Sequence, residues 1–391
     1  MPWREVSVMD ERLEFVRLAM LEGANRRELC RRFGISPQVG YKWLARGEAG
    51  DEDLKDRSRR PLHSPGRSSD ALEAAVLAVR DAHPPWGARK IEQVLSQRGM
   101  KTAAVSTIHA ILQRHDRIGE PVSPGKAYQR FEKEAPNLLW QMDFKGWVRL
   151  DDGSVCHPLT VIDDHSRYVP CLKACADQKG STVKAHLETC MRRYGMPQAF
   201  FVDNGNPWSD SQVADHWTRF EVWLLKLGVG LVRSTPYHPQ SRGKNERFHR
   251  TLKAEVLALR PLKNLDHAQQ AFDEWLGVYN HERPHEGIGL QPPSSRYRSS
   301  PKSMPEHLPE PEYDEGEIVR TVCSTKPYIR FKSRRFSVPK AFCGERLAIR
   351  PLDRDGRFGL FFASHHVADI NLTDPKPVSH VPEQVSAMSP D

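Results

Sequence analysis

The sequence predicts a multidomain α/β chain, with all-α units first, a sheet-bearing α/β core in the middle and a small all-β unit last. Three observations carry this. Apolar residues keep a helical period through residues 10–118, alternate at the strand period from Leu138, and return after Ile318 in short strands punctuated by glycine. At roughly 150 residues per domain, the 391-residue length suits two to four domains. Finally, stretches rich in Pro, Ser and Arg, which cannot build a core, interrupt the pattern. The predicted order is a helical unit over 1–55, a linker at 56–69 and a second helical unit over 70–118. A linker at 119–130, the α/β core over 131–298 and a linker at 299–312 follow. A β unit over 313–372 and a polar, proline-bearing tail at 373–391, expected to be disordered, complete the chain.

Residues 10–47 read as three short helices. Leu13, Val16, Leu18 and Leu21 give the first an apolar stripe, and Asn25 caps a second that runs to Phe33. Gly34 turns the chain. Ser36 before Pro37 then supplies an N-cap with proline at the first helical position, where a missing N–H costs nothing. The third helix, Gln38 to Ala45, is read as burying Val39 and Trp43 while Gln38, Tyr41, Lys42 and Arg46 stay polar. Two helices about a glycine turn make a helix-turn-helix, whose second helix enters the DNA major groove. A small bundle without a DNA role would share that pattern.

Residues 70–118 repeat the theme. Asp70 is read as capping a helix with Leu72, Val76 and Val79 inward. Trp86-Gly87-Ala88 leads into Arg89 to Gln97, and Ser106 to Arg114 forms a third helix. Arg89, Lys90, Arg98, Lys101, Arg114 and Arg117 give a basic exterior. Its place behind the first unit favours a second DNA-contacting module, helix-turn-helix or winged-helix-like.

Charge points the same way. The chain holds 58 Lys and Arg against 50 Asp and Glu, a net +8. Cations and anions number 23 and 17 in residues 1–130, 22 and 20 in 131–300, and 13 and 13 in 301–391. The excess therefore lies on the helical units, where a polyanion would be read. No apolar run reaches the roughly 18 residues of a membrane span, and residues 1–10 lack a signal-peptide core. A membrane partner is excluded, and a cytoplasmic location is expected. Seven cysteines with no C-x-x-C pair give neither a disulfide framework nor a zinc ribbon; Cys171 and Cys175 are read as pointing to opposite or offset positions.

From Leu138 the segment LLWQMDFKGWVRL reads as one strand, with Trp140, Met142 and Phe144 on one face and Gln141, Asp143 and Lys145 on the other. An acid inside such a strand is unfavourable unless it is paired or binds a metal. Asp151-Asp152-Gly153 turns the chain. Further strands are predicted from Pro158 to Asp164 and from Tyr168 to Ala174, then a helix from Thr182 to Tyr194 with Val183, Leu187, Cys190 and Met191 inward. A strand from Gln198 to Val202 ends in Asp203-Asn204-Gly205, the usual place for a functional group on an α/β sheet. A long helix from Gln212 to Leu227, a strand from Val229 to Ser234 and a loop from Thr235 to Gly243 precede a basic helix. At 100° per residue, Glu246, Arg250 and Lys253 share a face of that helix, opposite Phe248, Leu252 and Val256. Asp143, Asp203 and Glu246 could thus converge at one sheet edge. Such oxygen ligands suit Mg²⁺ or Mn²⁺. Two ions about 3.5–4 Å apart serve phosphodiester chemistry, activating one oxygen and stabilising the other, while nearby cations attract the DNA backbone.

These segments resemble the DDE recombinase superfamily, specifically bacterial insertion-sequence transposases close to retroviral integrases. The resemblance rests on Trp140-Gln141-Met142-Asp143, on Val161 to Arg167 (VIDDHSR), on Asp203-Asn204-Gly205, and on Pro236 to Gln240 leading to Gly243-Lys244-Asn245-Glu246-Arg247. Tyr279-Asn280 with Arg283-Pro284-His285 resembles the segment that closes such cores. It implies an RNase H-like core with Asp143, Asp203 and Glu246 as catalytic and metal-holding triad. Arg250 and Lys253 lie where similar integrases place cations on the transposon end, joined here by Arg242, Lys244 and Arg247. The last unit looks like a small β-barrel with a DNA-facing hairpin, Arg330, Lys332, Arg334 and Arg335 around Phe331 and Phe336. The 42 residues between Asp203 and Glu246 exceed the retroviral interval, which fits the long helix before Leu227. No His-His-Cys-Cys zinc module precedes the core; helix-turn-helix units stand in its place.

The expected activity is that of a transposase. It binds the terminal inverted repeats of a mobile element, frees a 3′-OH by hydrolysis and directs that hydroxyl at target DNA. Double-stranded DNA is the partner, a dimer or higher multimer on DNA the working form, and a bacterial nucleoid the setting; no small-molecule substrate is expected. Two other readings are a non-catalytic DNA-binding regulator and a metal-dependent nuclease of the same fold. His281-Glu282-Arg283-Pro284-His285 matches H-E-x-x-H, but Pro284 breaks the helical turn a zinc site needs. Asp163, Asp164 and His165 read as a turn cap or supporting group, with metal binding the rival. Trp208 reads equally as lining the site mouth or as core.

Overall fold

Ser7 opens the first helix. Its hydroxyl accepts from Asp10 N at 3.1 Å while the Asp10 carboxylate accepts from Ser7 N, so two otherwise unpaired end groups satisfy each other. The computed structural model describes residues 7–51, 54–56, 68–119, 132–203, 205, 207–208, 217–233 and 243–373. Two compact units divide the chain, residues 1–67 and 68–391.

In the first unit, α1 (Val8–Ala19), α2 (Arg26–Arg32) and α3 (Pro37–Glu48) pack around Phe15, Val16, Ala19, Cys30, Trp43, Leu44 and Leu54. Asn25 and Ser36 cap α2 and α3 as predicted. The inward faces differ from the prediction: Leu13, Leu21 and Val39 are exposed. For α3 the reason is Gly40, where a Cβ would collide with Cys30 Sγ and lie 2.9 Å from the Phe15 ring. That close approach turns Gly40, Trp43 and Leu44 inward and Val39 out.

The second unit opens with α4 (Asp70–Ala82), α5 (Ala88–Gln97) and α6 (Val105–Arg114), closed around Val76, Val79, Trp86, Ile91, Val94, Ile108 and Ile111. Ser69, not Asp70, caps α4, accepting from Leu72 N at 3.4 Å; Asp70 is the first helical residue, where its charge still favours the helix dipole.

A mixed sheet follows. Its strands are β1 (Leu139–Phe144), β2 (Val148–Arg149), β3 (Val155–Asp163), β4 (Cys171–Cys175), β5 (Ala199–Val202) and β6 (Gly230–Arg233), in the order β2-β3-β1-β5-β6 with β4 on the other edge of β3. The predicted single strand over Leu138–Leu150 is in fact two. Asp143 pairs with Thr160 but Val148 pairs with Cys156, one residue out of step, and Gly146 at φ +93° absorbs the extra residue. This β-bulge swaps the alternation, so Val148 and Leu150 take the face that Asp143 began.

One sheet face carries Trp140, Met142, Leu159, Val161, Phe200 and Val202 against α7 (Gly180–Tyr194) and α8 (Arg219–Lys226). The inward set of α7 is the predicted one. Cys171 and Cys175 both join this core, correcting their predicted offset, because a spacing of four keeps two strand residues on one face. Trp208 is also core, stacked on Phe144 at 6.0 Å, not a lining group. Of the predicted helix Gln212–Leu227 the structure describes α8 only, and 209–216 lie outside the described residues. The other face packs Ile162, Leu172 and Leu150 against α9 (Gly243–Leu252), a π-helical turn (Lys253–Leu257) and α10 (Leu265–His281).

The last strands are β7 (Ile318–Thr321), β8 (Tyr328–Phe331), β9 (Arg334–Ser337), β10 (Arg346–Pro351), β11 (Arg357–Phe362) and β12 (His365–Asn371). They form a four-stranded antiparallel sheet, β12-β11-β10-β7, and a separate hairpin, β8-β9, around one core that includes Val222 of α8. Among the described residues no helix is long and apolar enough to cross a membrane. The predicted linkers and tail lie mostly outside the described residues; residues 299–312 are described and hold no helix or strand.

Candidate active site

β1 and β5 run parallel, with Leu139 beside Ala199, Trp140 beside Phe200 and Gln141 beside Phe201. Carried two residues on, the same register sets Asp143 beside Asp203 at the C-terminal ends of neighbouring strands, about 4.8 Å apart in strand spacing. Alternation places both on the sheet face covered by α9. Each carboxylate is turned to its own loop: Asp143 Oδ1 accepts from Phe144 N at 2.8 Å, and Asp203 Oδ1 from Gly205 N at 2.9 Å. Gly205 leaves the space this needs, since a Cβ there would lie 3.1 and 3.2 Å from the Asp203 carboxylate oxygens.

Glu246 sits on the first turns of α9. Its carboxylate is exposed and meets Arg250 at 3.4 Å, one turn along the same helix. Among the described residues no three His, Cys, Asp or Glu are gathered closely enough to cage a metal ion. The donor set still fits one: two carboxylates at the ends of neighbouring strands, the second with a glycine beside it, are hard oxygen ligands of the kind Mg²⁺ takes.

The helix itself is fastened to β3. His249, buried, meets Thr160 Oγ1 with Nε2 at 2.9 Å, and the Thr160 hydroxyl donates to the backbone carbonyl of Asp143 at 2.9 Å. Burial, reinforced by Lys145, pushes the imidazole down to about 3, so it is neutral. Lys244 turns its ammonium onto the fully buried Asp164, which also accepts from Lys133 N and from Gln141 Nε2, both at 2.7 Å. Desolvation holds Lys244 down to about 8 against the pull of Asp164. Asp163 takes Asn137 N, Ser166 N and Ser166 Oγ, all within 2.7 Å, which makes it a turn cap. The carboxylate pair and His165, which contacts Arg296 and the Lys133 carbonyl, are thus supporting groups.

The other singled-out cations are scattered. Gln38, Tyr41 and Lys42 are exposed on α3, whereas Arg46 spans Asp51 and the Lys55 carbonyl beneath the Trp43 ring. Arg89 is exposed. Lys90 is half-buried, its ammonium lowered to about 8 by desolvation and by Arg283. Arg247 pairs with Glu286 at 2.9 Å, Lys253 is exposed, and Arg242 lies outside the described residues, as do Pro236 to Gln240. On the hairpin Arg330, Lys332 and Arg335 are exposed over the buried Phe331 and Phe336, while Arg334 donates to the Leu372 carbonyl. Thr160 and His249 were not among the sequence candidates. A threonine inside the apolar run PLTVIDD and a histidine beside Phe248 on the packing side of α9 were the available signals.

Comparison with known proteins meets this geometry at the same places. Residues 133–239 and 227–293 each match the integrase core domain family, and residues 317–377 match the C-terminal domain of the IS481 transposase family. Residues 11–61 match a helix-turn-helix domain and 39–112 a homeodomain-like domain. The chain thus carries an integrase core domain, followed by a C-terminal domain of the IS481 transposase type. The chain is 25% identical over 189 residues to the Gag-Pol polyprotein of baboon endogenous virus, covering 47% of this chain and 10% of that one. It is 33% identical over 113 residues to the Pro-Pol polyprotein of simian foamy virus type 1, covering 28% and 9%. The chain thus spans about a tenth of these curated relatives. Among solved structures, an intasome chain of simian T-cell lymphotropic virus, in complex with PP2A regulatory subunit B56 gamma, matches at 16% identity and TM-score 0.37, over 77% of this chain and 100% of that one. The HTLV-2 integrase catalytic core domain in complex with magnesium matches at 16% and 0.32, over 42% and 99%.

Proposed function

We propose that the chain is a DNA transposase acting through Asp143, Asp203 and Glu246. The observation that carries this is the parallel register of β1 and β5, which brings Asp143 and Asp203 side by side, with Gly205 clearing the space at the second. Asp143 and Asp203 would hold divalent cations, Mg²⁺ or Mn²⁺, and Glu246 would complete the site by rotating its side chain away from Arg250. Bound there, two such ions would activate an attacking oxygen and stabilise a leaving one. The remaining residues do the binding. Gln38, Tyr41 and Lys42 on α3 would read the terminal repeats in the major groove. Arg250, Lys253, Arg247 and the hairpin cations would take phosphates. Two ends joined together call for a dimer or higher multimer on DNA.

The test is Asp203→Asn, in a chain supplied with duplex DNA carrying the inverted repeats that flank its coding sequence. Cleavage and joining should vanish while DNA affinity stays within about threefold. Undiminished joining would exclude the triad. Binding without any nicking by the natural chain would instead identify a regulator, and cutting without joining a nuclease.

A further inference from the structure

We infer that α9 is mounted on β3 at two points that bracket Glu246, and that His249 and Thr160 are positioning residues for the proposed acidic site. The inference rests on the reading of Asp143 and Glu246 as catalytic. Two residues before Glu246, the ammonium of Lys244 is locked to Asp164 at the end of β3. Three residues after it, the His249 ring reaches Thr160 in the middle of the same strand. Thr160 in the strand and Asp164 just past its end are both fully buried, so neither contact is a solvent-exposed pairing that thermal motion exchanges for water.

The second point is the informative one. A threonine hydroxyl has a single proton. Here it goes to the Asp143 carbonyl, so Thr160 Oγ1 must accept from His249, whose neutral ring then carries its proton on Nε2. The result is a directed relay, His249 Nε2–H to Thr160 Oγ1–H to Asp143 C=O, running from the Glu246 helix to the backbone of the residue that faces Asp203. Thr160 is also the cross-strand partner of Asp143. One side chain therefore sets the height of α9 above the strand and steadies the carbonyl next to the carboxylate. Held in this way, α9 keeps Glu246 at a fixed height on the sheet face that carries the two aspartates.

The experiment compares four variants of the full chain: Thr160→Val and His249→Leu, which break the relay, and Thr160→Ser and His249→Gln, which keep a hydroxyl and a donor. Mn²⁺ affinity is measured by electron paramagnetic resonance, and DNA joining as kcat and KM separately. The relay-breaking pair should bind Mn²⁺ at least fivefold more weakly and lose at least tenfold in kcat with KM for DNA within twofold. The conservative pair should stay within about threefold of the natural chain. If Leu and Val perform as well as Gln and Ser, the inference is overturned while the transposase reading stands. If the natural chain neither binds Mn²⁺ nor joins DNA, that reading is what fails. Should the relay-breaking variants not melt cooperatively, ¹⁵N spectra of histidine-labelled natural chain decide. The ring signal that disappears in His249→Gln must be protonated on Nε2, and protonation on Nδ1 would overturn the relay.

Discussion

Gly205 is the residue whose replacement probes the site with least disturbance to the fold. A methyl group at its Cα would press on the Asp203 carboxylate at about 3.1 Å, the nearest group among the described residues. Gly205→Ala should therefore weaken Mn²⁺ binding several-fold and slow joining, while unfolding free energy changes by less than about 1 kcal/mol; Mn²⁺ titration beside a denaturant melt separates the two. The two aspartates stood out in the sequence for different reasons, Asp143 as an acid inside an apolar strand and Asp203 as an acid directly before a glycine turn. Thr160 and His249 did not. They lie 89 residues apart, and what makes them partners is the packing of a helix on a sheet, which no local spacing encodes. Val39 shows the same limit from the apolar side: it was read as inward with Trp43, but the close contact at Gly40 brings Gly40, Trp43 and Leu44 in and leaves Val39 exposed.

At the scale of elements, the π-helical turn after α9 puts Glu255 between the Trp275 indole, at 3.0 Å, and the Arg283 guanidinium, at 2.9 Å, with both charged partners almost fully buried. Removing one member of a buried pair strands the other. Glu255→Ala should cost about 3–5 kcal/mol, readable as a shift in denaturant midpoint with unchanged slope. A second element-scale outcome concerns acid. The His249 ring is held near 3 in the folded chain and returns to about 6.5 on unfolding. Below that value the unfolded chain binds the extra proton, so stability is full above pH 6.5 and falls as pH drops towards 3. The slope from this one group is about 1.4 kcal/mol per pH unit. His285 is likewise pushed down to about 3 by burial, so denaturant melts between pH 6 and 5, before most carboxylates titrate, should show at least that slope, and His249→Gln should reduce it by about 1.4 kcal/mol per pH unit.

For the whole molecule, the division into residues 1–67 and 68–391, each with its own apolar core, has a measurable meaning. A chain beginning at residue 68 should melt at the temperature of the second unit in the natural chain. Its DNA affinity should fall less steeply with salt, because the phosphate contacts of the first unit are gone; an unchanged salt slope would show that α3 does not touch the backbone. The broad order of helical units, mixed sheet and terminal strands was legible from period and composition. The join at residues 145–147 was not, because a strand period read straight through Gly146 hides a one-residue slip. That slip governs what the chain tolerates in length. Trp147, 65% exposed, can be exchanged for many side chains at little cost. Loss of a single codon there would remove the slip and leave Val148 and Leu150 on the α9 side; loss of a second would carry them to the other face, exchanging interior for surface along the strand that leads from Asp143. In this stretch inheritance should tolerate the loss of one residue but not of two.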